Sequence, residues 1–407
     1  MPTVRLKPGH VQPVWTGHPW VYAQAVERVE GGATAGDEVK VVDPRGNLLG
    51  RGFYSPGSAI PVRLIVRDDT TRIDAAFFHA RIAAALAWRE ELGLEGTPDS
   101  PHANVNPARR TDGYRLVHAE GDGLPGLIID RFADVVVVQF LTFGMKLREG
   151  LILQAIHDVL KPRAIIDRTP AKTAKQENFV PAAGVVRGEE ITELAFTERG
   201  LSYRIPLELG QKTGFYFDQR ALRARVEQLA HGKRVLDTYS YVGAFAMAAA
   251  RGGAKEVVAV DESALALEVG AECARANGLE ARITHSKQDA RKALQEAGTS
   301  GGFDLVIVDP PRLAPTRGSK DAALFAYAKL AELGCRATRP GGILVLCSCS
   351  AAVDLTSLTR ALATGALRAN VSSYVWERSF QGGDHPVNAA FGDGLYLKAL
   401  LSRIEPR

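Results

Sequence analysis

From about residue 200 onward, short apolar runs of β type alternate with helical segments, and aspartates stand where successive runs end. The apolar runs lie at 234–236, 257–260, 304–308 and 342–347, with helical patterns near 244–251, 264–276, 288–297 and 320–338. Strand–helix alternation of this kind demands crossover connections and a parallel sheet covered on both faces, so a doubly wound α/β layout is expected. A last pair of strands, near 371–375 and 395–401, reads as an antiparallel hairpin at the sheet edge, joined by a short connection.

The 407 residues exceed one ordinary domain. Residues 1–70 alternate short apolar runs with turn signals and read as a small β module. Residues 71–195 read as a helical connection, with a helix over 73–94 and a Pro/Ser/Asn-rich loop over 96–106, followed by an α+β middle domain. That domain contains a hairpin (127–130 and 135–140), a helix near 147–159 and a strand at 164–167. Residues 196–407 form the α/β domain.

In open α/β sheets ligands bind beyond the carboxyl ends of the strands. The first strand of the C-terminal part ends in Asp237-Thr-Tyr-Ser-Tyr-Val-Gly243, where Gly243 opens the next helix and lets backbone approach a ligand closely. Asp261 ends the second strand, where a carboxylate can accept both ribose hydroxyl hydrogens. A dinucleotide fold would use the same acid, but Gly-x-Gly-x-x-Gly is missing here, which argues against pyrophosphate. S-adenosylmethionine carries no phosphate, and its sulfonium and amino group favour oxygen acceptors such as Asp237. Asp289, after the third strand, is placed to touch the adenine edge. Any one of these acids could simply cap a helix; three at successive strand ends point to a shared ligand. Upstream, Gly210 to Arg220 gathers Gln211, Lys212, Thr213 and Tyr216 just before an amphipathic helix, with Asp218 as its expected N-cap.

Asp309-Pro310-Pro311-Arg312 emerges at the same crevice, stiffened by its two prolines and able to fix a flat base, with Asp309 hydrogen-bonding it. The fifth strand runs into Cys347-Ser348-Cys349-Ser350. Cys347 reads as a strand-end packing residue, and Cys349 lies beyond the strand end at the crevice mouth. A thiolate there can add to C6 of cytosine, which makes C5 nucleophilic toward a sulfonium methyl; it must be ionisable and exposed. A metal site is the rival for Cys-x-Cys, but Cys273 and Cys335 fall on expected helices without ligand spacing, so no metal is expected. His385 reads as a ligand, a base or a loop-packing residue.

Together these runs, with Asp384-His-Pro-Val387 and Tyr396-Leu-Lys398, resemble the RlmI-like large-subunit ribosomal RNA cytosine-C5 methyltransferases over nearly the whole chain. The stretches His18-Pro-Trp-Val-Tyr22 and Gly50-Arg-Gly-Phe-Tyr54 resemble that family's PUA domain, an RNA-binding β barrel, and Gly121 to Asp130 the start of its middle domain. The resemblance implies a class I (Rossmann-like) methyltransferase domain, S-adenosyl-L-methionine as cofactor, 23S ribosomal RNA or a large-subunit assembly intermediate as substrate, and Cys349 as nucleophile. Arg312-Leu-Ala-Pro departs from the Lys-Phe-like pair that many members carry after Asp-Pro-Pro.

Other classes stay in view. A nitrogen-methylating RNA enzyme would need no thiolate, and an assembly factor that binds ribosomal RNA without catalysis would need no intact acids. A nicotinamide oxidoreductase is disfavoured by the single-glycine loop. The net charge of +4 sets 50 basic against 46 acidic residues and decides little about a polyanionic partner. Four cysteines argue against a disulfide framework, and the start of the chain lacks a secretory pattern, so a cytoplasmic protein that spans no membrane is expected. A homodimer is compatible with the sequence.

Overall fold

The computed structural model describes residues 1–94, 110–210, 213–314 and 317–407. The loop expected over 96–106 lies outside them. The chain forms two compact units, one of residues 1–200, 205–217 and 383–394, the other of residues 201–204, 218–382 and 395–407.

In the first unit, residues 3–66 form a six-stranded sheet whose inward alternation buries Val4, Leu6, Val39, Val41, Val62 and Leu64. A second sheet has five strands, with Leu127–Phe132 and Val135–Phe140 at its centre, buried on both faces. Helices Ala75–Glu91 and Glu149–Leu160 cover it through Phe78, Ile82, Ile152 and Ile156. The strap at 383–394 completes this unit. Arg89 donates to the Asp384 carbonyl at 2.8 Å, and the Arg115 backbone N–H donates to the Asp384 carboxylate at 3.2 Å. The Phe391 ring lies 4.5 Å from that of Trp20 and 5.4 Å from that of His18.

The second unit is built on seven strands: β1 (Arg234–Thr238), β2 (Glu256–Asp261), β3 (Ile283–Lys287), β4 (Phe303–Val308), β5 (Thr338–Ser348), β6 (Val371–Phe380) and β7 (Lys398–Pro406). Their spatial order is β3-β2-β1-β4-β5-β7-β6. The first five are parallel, and β7 is antiparallel to both β5 and β6. The helices are α1 (Arg220–Leu229), α2 (Ala244–Arg251), α3 (Ala264–Ala276), α4 (Ala290–Thr299), α5 (Lys320–Ala337) and α6 (Leu355–Arg368). α2 is buried from Ala244 to Ala250, with alanines on most positions around Phe245 and Met247.

One expectation is corrected here. The terminal strands do pair antiparallel, but their connection is not short: it runs from 381 to 397 and carries the strap of the first unit. The pair does form the sheet edge, with β7 between β5 and the outermost β6. No helix among the described residues is long and apolar enough to cross a membrane.

Candidate active site

The parallel strands end on a common edge, and the loops leaving β1, β2, β4 and β5 carry the functional side chains. After β1 the backbone is tightly coiled, with φ of 60° at Tyr239, 52° at Tyr241 and 70° at Gly243. Gly243 takes the left-handed conformation that starts α2 without the steric cost of a Cβ. Two carboxylates brace the loop: Asp261 accepts from the Tyr241 N–H at 2.8 Å and from the Ser263 N–H at 2.9 Å, and Asp237 Oδ2 accepts from the Ala246 N–H at 3.0 Å.

Asp237 is fully buried, and its Oδ1 has no hydrogen-bond partner among the described residues. Burial pushes its carboxyl well above the usual range, and the Asp309 and Asp261 charges push the same way. A buried carboxylate with an unsatisfied oxygen is costly unless a cation or donor completes it. The amino group of S-adenosylmethionine is such a partner, so the residues present fit that cofactor.

Asp309 is half-buried beyond β4, where its Oδ2 accepts from Gln219 Nε2 at 2.9 Å. Arg312 is exposed and turns back to the Ala314 carbonyl at 3.2 Å, while the Ala314 N–H donates to Ser350 Oγ at 3.2 Å. The Asp-Pro-Pro loop is thereby tied to the segment after β5. Cys347, within β5, is fully buried, and burial pushes its thiol well up. Asp309, Cys349 and Asp237 act in the same sense, against a hydrogen bond with the Gln219 side chain. Cys349 stands just past the strand and is half-buried, between Ser348 and Ser350, which are fully buried. Tyr327 of α5 lies 3.5 Å from Ser350 Oγ, and burial raises its hydroxyl to about 12.

The second unit thus brings together Asp237, Tyr239, Gly243, Asp261, Asp309 and Cys349. Burial, with Asp289 adding to it, raises the Tyr239 hydroxyl to about 12. Asp289 itself caps α4, accepting from the Lys292 N–H at 3.0 Å and pairing with Arg291 at 3.1 Å. Thr213 and Tyr216 belong to the first unit, where Thr213 is buried and Tyr216 half-buried. Gln211 and Lys212 lie outside the described residues. Asp218 is not the cap of α1: Gln219 occupies that position without a side-chain bond, and Asp218 accepts from the Tyr396 hydroxyl at 2.6 Å. His385 is buried in the first unit, bonded to Asp384 at 3.1 Å and with its ring 4.9 Å from that of His118. Among the described residues no cluster of three or more His, Cys, Asp or Glu could hold a metal.

Sequence reasoning missed Tyr327 and gave no role to Gln219 and Lys398, which it met only within longer motifs. Lys398 left a signal, since it is a charge at the head of the buried apolar run Ala-Leu-Leu.

Residues 121–401 match the family model of S-adenosylmethionine-dependent methyltransferases, and residues 4–67 match that of a PUA-like domain. A ribosomal RNA large subunit methyltransferase I from Shewanella denitrificans is 36% identical over 405 residues, covering 98% of this chain and 99% of its own length. The chain belongs to that methyltransferase family. A Klebsiella pneumoniae member is 34% identical over 406 residues, covering 99% of this chain and 98% of its own. Among solved structures, a methyltransferase complexed with SAH shares the fold, with a TM-score of 0.83 at 20% identity over 99% of this chain and 100% of that one. The expected class I α/β fold, the PUA-like N-terminal module and S-adenosylmethionine as the family's cofactor are therefore established.

Proposed function

We propose that this methyltransferase forms 5-methylcytosine in large-subunit ribosomal RNA, with Cys349 as the covalent nucleophile. The observation that carries the reading is a half-buried thiol just past β5, in a segment that Ala314 ties to the loop bearing Asp309. Relatives of the same length named for the large ribosomal subunit's RNA, and the PUA-like match at 4–67, support the substrate class.

S-adenosylmethionine, when bound, supplies an electrophilic methyl group on a sulfonium. Asp237 Oδ1 would hold its amino group, Asp261 its ribose hydroxyls, and the coiled Tyr239–Gly243 backbone its flank. The target cytosine would enter flipped out of its RNA context, with Asp309 accepting a hydrogen bond from the base. The Cys349 thiolate then forms a bond to C6, and the C5–C6 π pair moves to C5, which becomes the nucleophile. After C5 is methylated, loss of its proton returns the pair to the ring and expels the thiolate.

The test is Cys349→Ser, assayed with labelled donor and ribosomal RNA. Turnover should vanish while cofactor affinity stays near wild type, and mass spectrometry of the wild-type product should give 5-methylcytosine. Full turnover by the variant, or a methylated guanine or adenine, would refute the reading.

A further inference from the structure

Lys398 begins β7 directly opposite Ser348, next to the thiol-bearing segment, and is only 3% exposed. Its ammonium donates to the Ser350 carbonyl at 3.0 Å and the Val353 carbonyl at 2.7 Å, which leaves one of its three N–H groups. Both acceptors belong to the turn that follows Cys349. No carboxylate pairs with it among the described residues. Asp354 of the same turn is bonded instead to Lys320 at 2.9 Å and to the Ser357 N–H at 2.7 Å, where it caps α6.

A buried ammonium without a counter-ion is expensive, and two carbonyl dipoles offset only part of that cost. Some anion is expected nearby, and a thiolate at Cys349 is the group the chain provides. We propose that Lys398 is a positioning residue whose ammonium serves as counter-ion to the Cys349 thiolate, holding the thiol ionised and aimed before any RNA arrives. This rests on Cys349 being the nucleophile.

The surrounding charges are consistent with that role. Burial lowers Lys398 to about 8, opposed first by Cys349 and then by Asp354. It is still cationic at neutral pH. Tyr327, on α5, is held neutral by burial and brings no charge. Asp309 brings negative charge to the same strand ends, where it helps to raise the neighbouring Cys347 thiol.

The experiment is iodoacetamide alkylation of the full-length protein across pH, without RNA, with Cys349 followed by peptide mass mapping. Wild-type Cys349 should be half-ionised at least one pH unit below the free-thiol value of about 8.5. In Lys398→Met the midpoint should rise by about one unit or more, slowing alkylation at neutral pH roughly tenfold. A wild-type midpoint at or above the free value overturns the proposal, and that measurement needs no variant to fold. So does a variant whose rate changes equally at every pH, which is what a simple clamp on the turn would give. An active Cys349→Ser enzyme would remove the nucleophile role while leaving this titration readable, so the two failures are distinguishable.

Discussion

Asp237 combines burial, an unsatisfied oxygen and two neighbouring carboxylates, so its charge is a burden on the protein without ligand. An acid whose folded-state pKa lies above its unfolded value binds more protons when folded. Stability of the ligand-free protein then falls as pH rises from the ordinary carboxyl range toward the raised value. Asp237→Asn keeps an acceptor for the Ala246 N–H and removes the charge. The ligand-free variant should melt above wild type at neutral pH, with the gap closing toward pH 4. Its affinity for S-adenosylmethionine should fall roughly 10- to 100-fold, the equivalent of one charge-assisted hydrogen bond. Calorimetry of the two proteins checks both, and a variant that melts lower at neutral pH contradicts the account. Asp237 was legible in the sequence because a strand end fixes where its side chain emerges. The contacts of Lys398 were not, because its partner Ser350 is 48 positions away and only sheet register brings them together.

At the scale of elements, the parallel strands and their helices follow from local pattern, since burial on both faces leaves an unbroken apolar run. Strand order does not follow from it. Nothing local in Lys398–Pro406 says that it pairs with β5 as well as β6. The cap of α1 was misread for a similar reason: Asp218 suits an N-cap, but the Tyr396 hydroxyl claims it from a distant part of the chain. Helix packing supplies another prediction. A Cβ at Gly365 in α6 would stand 2.5 Å from the Glu332 backbone nitrogen and 2.8 Å from the Ala328 carbonyl of α5. Backbone cannot swing aside, so Gly365→Ala must force the two helices apart, at about 1–3 kcal/mol. Denaturant melts should show that loss; an unchanged midpoint would mean that the helices are less closely packed than described.

On the scale of the whole molecule, the first unit is discontinuous in sequence, and residues 383–394 supply part of its interior. Phe391 is 6% exposed against Trp20 and His18. Phe391→Ala should therefore cost about 3–5 kcal/mol, the usual loss for a buried phenylalanine. Tryptophan emission during urea unfolding should register it through Trp20, and an unshifted transition would deny the strap a structural role. The sequence hinted at this segment only through the Asp-His-Pro-Val run, because a strap of this kind has no periodicity of its own. Its partners are the distant Arg89, Arg115 and Trp20.

That strap also bears on how the protein is made. Chains usually fold from the N-terminus as they leave the ribosome, domain by domain. Here the first unit waits for residues 383–394, and the second waits for β7, which fills the gap between β5 and β6. Both are therefore closed only by segments synthesised after residue 382. A nascent chain broken off before residue 383 would hold two unfinished cores.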